Sequence, residues 1–173
     1  MPPRSASTAR LLGIPFVSPE PYGLGMDIID GREVPPRRID GEETIAGTHR
    51  GSLIVARGGH LRLAGTQRGT VHVEPGGAAE VLGSLQGTLH VERSAHVQIH
   101  GRQQGTVHVK QGGLVEVAAT GRLQGTLHVD GRLINGGVRG GTVHGNGSIE
   151  DVEGGTVKGA DEIWPDGTHV YRW

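Results

Sequence analysis

From about residue 47 onward, apolar and polar positions alternate in short runs separated by glycine. A pentad, Gly–Thr/Ser–Leu/Val–His/Ile–Val, begins at Gly51, Gly69, Gly87 and Gly105, each 18 residues after the last. It returns at Gly125, after a two-residue insertion near Ala118–Thr120. A second glycine keeps the same beat at Gly47, Gly65, Gly83, Gly101 and Gly121. The third and fifth pentad positions are aliphatic in every full unit, as in Leu53/Val55, Val71/Val73, Leu89/Val91, Val107/Val109 and Leu127/Val129. A second pair repeats at Leu61/Leu63, Ala79/Val81, Val97/Ile99 and Val115/Val117. Apolar residues two apart on runs of three to five residues predict strands with one buried face. Because 18 is even, one parity points inward all the way round a coil. Three short edges per coil predict an all-β, triangular parallel β-helix (β-solenoid), with equivalent positions stacked about 4.8 Å apart.

The same parity assigns Gln67, Leu85, Gln103 and Leu123 inward, where each glutamine needs a backbone partner. Outward, Gln86, Gln104 and Gln124 form a row able to bond amide to amide. Degenerate pentads at Gly141, Gly155 and Gly167 imply coils of 16, 14 and 12 residues, a taper toward the C-terminus. Three segments follow: a Pro-rich arm and lead-in over 1–46, the regular solenoid over 47–145, and shortened coils with a cap over 146–173.

Composition agrees with this reading. The chain has 173 residues with 32 glycines, too many for long helices, since each interior glycine costs about 1 kcal/mol against alanine. Only five residues are aromatic, so the core is aliphatic. There is no cysteine, which excludes disulfides and thiolate chemistry. A net charge of −1 argues against a nucleic-acid partner recognised by bulk phosphate neutralisation. The apolar stretch Leu11–Val17 is short and broken by Pro15, so no membrane span is expected and a cytoplasmic location is.

Two familiar solenoid codes fail. The hexapeptide helix needs an aliphatic residue every sixth position, and the calcium-binding roll needs G-G-x-G-x-D; neither is present. The stretches Val71–Gly83 (VHVEPGGAAEVLG) and Leu89–Gly101 (LHVERSAHVQIHG) instead follow a pattern of V-x-V, a small turn, then x-V-x-V/I-x-G. In this the chain resembles the bactofilins, polymer-forming bacterial cytoskeletal proteins, over roughly residues 47–145. The resemblance implies a right-handed coil and self-association by apposed solenoid ends. The tapered, aromatic C-terminus departs from that family's uncapped ends.

All the aromatics lie outside the regular stack: Phe16 and Tyr22 before it, Trp164, Tyr171 and Trp173 after it. They are the candidate cap or interaction residues, with Trp164 and Trp173 placed to close the taper and Pro165 to block strand addition. On the outward parity, Thr70, Thr88, Thr106 and Thr126 run beside His72, His90, His108, His128 and His144. Stacking on an exposed strand accounts for such a row. The five imidazoles are also the only candidate metal ligands, and their charges would repel one another as pH falls. No G-x-S-x-G, phosphate-binding loop or specified carboxylate pair occurs, so no enzyme and no cofactor are expected. The expected function is a non-enzymatic scaffold that associates with itself. The alternative is a soluble protein-binding module, of immunity or adaptor type, that grips one partner by the Thr/His face or the N-terminal arm.

Overall fold

A computed structural model describes residues 25–170 and 172 of the chain. Phe16, Tyr22, Tyr171 and Trp173 lie outside the described residues. Those described form a parallel β-solenoid whose coils each contribute to three faces. The first face stacks Arg37–Ile39, Leu53–Val55, Val71–Val73, the C-terminal halves of Ser84–Val91, Arg102–Val109 and Arg122–Val129, and Val143–His144. The second is a seven-stranded sheet from Glu42–Ile45 to Ser148–Asp151. The third runs from Thr48–Arg50 through Thr66–Arg68 and the N-terminal halves of the three long strands to Val138–Gly140 and Thr156–Lys158. No helix is present among the described residues, so none is long and apolar enough to cross a membrane.

The parity holds. Leu53, Val55, Leu61, Leu63, Leu85, Leu89, Val91, Val97, Val107 and Leu127 all lie in one buried cluster, at 1% exposure or less. The two inward glutamines are fully buried, and both find the backbone acceptor they need. Gln67 Nε2 donates to Gly51 O at 2.5 Å, and Gln103 Nε2 to Gly87 O at 3.2 Å. In the outward row, Gln104 donates to Gln124 at 3.1 Å.

Pentad glycines form the corner between the third and first faces. Gly87 has φ 145, and a Cβ there would stand 2.2 Å from Gly69 O on the coil beneath. Only glycine lets two coils approach this closely.

The stack extends past the expected regular part at both ends, from Arg37 to Lys158. The taper is limited to a single coil. Val143 pairs with Leu127, a step of 16, but Thr156 pairs with Val138, a step of 18. Gly159, rather than Gly155, therefore follows Gly141 in register, and Gly167 lies in the turn of a separate hairpin, Glu162–Ile163 with His169–Val170. A second isolated hairpin, Asp27–Ile29 with Arg32–Val34, precedes the stack.

Candidate functional site

The imidazole row forms as the register requires. Ring centroids are 5.4 Å apart for His72–His90, 4.8 Å for His90–His108, 4.6 Å for His108–His128 and 5.1 Å for His128–His144. The two central pairs are almost parallel, at 5° and 6°. Rings stacked face to face keep corresponding nitrogens one rung apart. Two metal–nitrogen bonds of about 2.1 Å reach at most about 4.2 Å, so the stacked central rings do not converge on one ion. Among the described residues no group of three or more His, Asp or Glu side chains is gathered for a metal.

Stacking also removes water from the ring faces. Burial lowers the His90 pKa to about 4, helped by the neighbouring His108, His72 and Lys110. His108 is lowered for the same first reason, with His128 and Lys110 contributing. Near neutral pH the centre of the row is therefore an uncharged stack.

The expectation that this whole row faces solvent fails at its N-terminal end. His72 is 3% exposed, and Ile54, its neighbour on the preceding rung, is 1% exposed. Beside them Arg38 makes two 3.0 Å bonds to the carboxylate of Glu74, and the register puts Ile54 on the rung between Arg38 and His72. Parity assigns a side chain to the outside of the coil; it does not say what else lies there.

Among the described residues, each end of the core carries an ion pair at inward positions. At the N-terminal end, Arg37 and Glu43 occupy positions equivalent to the inward Leu53 and Leu61, and they form an ion pair across two faces. At the C-terminal end, Arg139 stands in register with Leu123, and Asp151 with the fully buried Asn135. Asn135 Nδ2 donates to Asp151 Oδ1 at 2.8 Å and to Thr156 O at 3.2 Å. Hydrogen bonds from Arg139, then from Asn135, hold the Asp151 carboxyl below its usual range. These pairs close positions that an apolar side chain would leave exposed.

The N-terminal hairpin completes the first corner. Beneath Gly69, Gly87 and Gly105 lies the corner glycine of the preceding coil; beneath Gly51 lie Ile29 Cδ1 and the Asp27 carboxylate. Asp27 accepts the Ser52 N–H at 2.6 Å and the Ser52 hydroxyl at 3.0 Å. A non-repeating segment thus replaces a missing coil.

The C-terminal end is different. Five of the seven exposed large hydrophobic residues among those described are Val143, Val152, Val157, Ile163 and Trp164. Trp164 lies at the turn of the terminal hairpin and is 52% exposed, with its indole N–H 3.4 Å from the Glu162 carboxylate. It does not close the core as a lid. The hairpin is tied to the last coil through Asp161, which accepts from Lys158 Nζ at 2.8 Å. The inward-parity signal for the charged pairs was present in the sequence, at residues 37, 43, 139 and 151, but charged side chains do not fit the aliphatic code that marks an inward position.

No family model, no curated protein and no solved structure matches this chain.

Proposed function

We propose that this chain is a non-enzymatic structural scaffold, bactofilin-like in its solenoid, that associates with a second copy through the C-terminal end. The observation that carries the reading is the set of exposed apolar side chains at the C-terminal end, five of the seven among the described residues. At the N-terminal end a hairpin and an ion pair occupy the first corner and the inward positions. The other end presents Val143, Val152, Val157, Ile163 and Trp164 on the last coil and the hairpin that follows it. Exposed apolar side chains gathered at one end of a stack suit association. Contact between like C-terminal ends gives a closed pair rather than an endless filament.

Light scattering coupled to size-exclusion chromatography tests this, with negative-stain microscopy to show particle length. Twice the chain mass at micromolar concentration is expected, falling to the single-chain mass in Val157→Asp. A single-chain mass for the unaltered protein at every concentration and salt would overturn self-association. It would leave the soluble binding module, acting through the exposed part of the Thr/His face, as the better reading.

A further inference from the structure

The third face carries no carboxylate from Thr48 to Gly140, although the chain as a whole has a net charge of −1. Its exposed side chains include Arg50, Arg68, Arg102 and Arg122. Arg50 lies 3.5 Å from Asp30. Arg102 and Arg122 are direct partners on adjacent strands, with no carboxylate at ion-pair distance among the described residues. Like charges placed directly opposite one another in a sheet destabilise it. Every rung earlier in the same row is neutral: Thr48, Thr66 and Ser84.

These two arginines line a surface cleft together with Ser84, Thr120, Gly83 and Gly101. Thr120 belongs to the two-residue insertion, the one place where the regular coils exceed 18 residues. Its hydroxyl bonds to His100 O at 2.9 Å, which fixes the inserted turn as a wall of the cleft. Gly83 and Gly101 form the floor. The departure from the repeat and the unpaired guanidinium couple therefore occupy the same place.

We propose that this cleft binds a phosphomonoester group, with Arg102 and Arg122 on adjacent rungs sharing its oxygens and the Ser84 and Thr120 hydroxyls at its rim. A guanidinium presents a planar fork that matches phosphate oxygens. Two such forks about 4.8 Å apart suit a tetrahedral dianion better than a planar, singly charged carboxylate. The bound group also cancels the repulsion within the couple. The phosphate belongs either to a free small molecule or to a phosphorylated side chain of a partner, and the recognising chemistry is the same.

The test is a titration of the full chain followed by the NMR signals of arginine Nε–H groups, using inorganic phosphate, O-phosphoserine and acetate at matched ionic strength. Saturable shifts at Arg102 and Arg122 are expected with both phosphates and not with acetate. Arg57 and Arg93, exposed and without ion pairs elsewhere on the surface, serve as controls and stay fixed. Arg102→Gln and Arg122→Gln each weaken binding about tenfold or more, and Thr120→Val weakens it less. Both arginines are exposed, so the circular dichroism of each variant matches that of the unaltered chain. Tighter binding of O-phosphoserine supports a phosphorylated side chain as the source, and equal binding supports a free phosphate. Non-saturating shifts at all four arginines, equal saturation by acetate, or unchanged affinity in Arg102→Gln would each overturn the site.

Discussion

Arg139 donates its Nε–H to Asp151 Oδ1 at 2.8 Å and its Nη2–H to Oδ2 at 2.7 Å, bridging the third and second faces of the triangle. Both residues sit on the inward parity, one rung beyond Leu123 and Asn135. On this rung an ion pair takes the inward positions of the third and second faces, with Asn135 as the step to it on the second and Val157 following Arg139 on the third. The N-terminal pair, Arg37 with Glu43, likewise takes inward positions at the opposite cross-section.

Removing one member of the C-terminal pair leaves the other half-buried without a partner. Asp151→Leu should lower unfolding free energy by about 1–3 kcal/mol, the lower part of the range reflecting partial solvent access. Joint replacement, Arg139→Leu with Asp151→Leu, should recover most of that loss. It should also make the end stickier, read as larger particles in light scattering. Equal losses in the single and double variants would mean the pair does not act as a unit.

The inward/outward assignment makes a sharper demand. Val91→Asp or Val109→Asp puts a carboxylate into a thin aliphatic layer and should cost several kcal/mol, enough to unfold the chain at room temperature. His108→Ser, one position away on the outward side, should cost less than about 1 kcal/mol. Urea denaturation of the three variants measures the difference.

How much of this was readable beforehand differs along the chain. The period of 18 and its even parity placed the strands, the core column and the backbone bonds of Gln67 and Gln103, because a two-residue alternation survives any change of side chain. The same rule placed His72 and Ile54 outside but could not foresee their burial, because parity fixes the side of the coil and not the exposure. The charged ends stayed hidden because Arg37 and Glu43 precede residue 47, where the regular pentads begin, and because charged side chains at 139 and 151 break the aliphatic code that marks an inward position. Trp164 looked like a lid because aromatic residues in a chain poor in them suggest a plug. The residues that fill the inward positions are Arg139 and Asp151.

Acid should weaken the fold through the imidazole row. His90 has a pKa lowered to about 4 in the folded chain, so the unfolded chain takes up its proton first as pH falls below the ordinary value near 6.5. The stability held above about pH 6.5 is lost progressively down to about pH 4, after which His90 contributes no further slope. His90→Thr should flatten that window by about 1–2 kcal/mol, the solvent-facing side of the ring limiting the effect. Thermal melts at pH 7.5, 5.5 and 4 give the comparison, and an unchanged slope in the variant would remove His90 as the cause.

Corner glycines should not be equivalent. Gly87→Ala drives a Cβ against Gly69 O at 2.2 Å on a fixed backbone, and should cost about 3 kcal/mol or more, the range for strain at a special φ combined with overpacking. At Gly51 the nearest atom is Ile29 Cδ1 at 3.0 Å, the end of a movable side chain. Gly51→Ala should therefore cost clearly less: the penalty of its φ of 97 and a small shift of Ile29 and of the Asp27 carboxylate, 3.1 Å away. Chemical denaturation separates the two, and equal costs would show that backbone strain alone sets the price.

The hairpin beneath Gly51 gives the molecule a direction under load. Each coil of a solenoid is held only by its immediate neighbours, so coils come away in sequence rather than all together. The first coil is latched, because the Asp27 carboxylate holds both the backbone and the hydroxyl of Ser52. Among the described residues no further coil follows the last one, and the terminal hairpin is tied to it through Lys158 and Asp161. Pulled from both ends, the chain should unzip from Trp164 inward in steps of one coil, about 18 residues of contour or roughly 60 Å each, with the latched coil the last to yield.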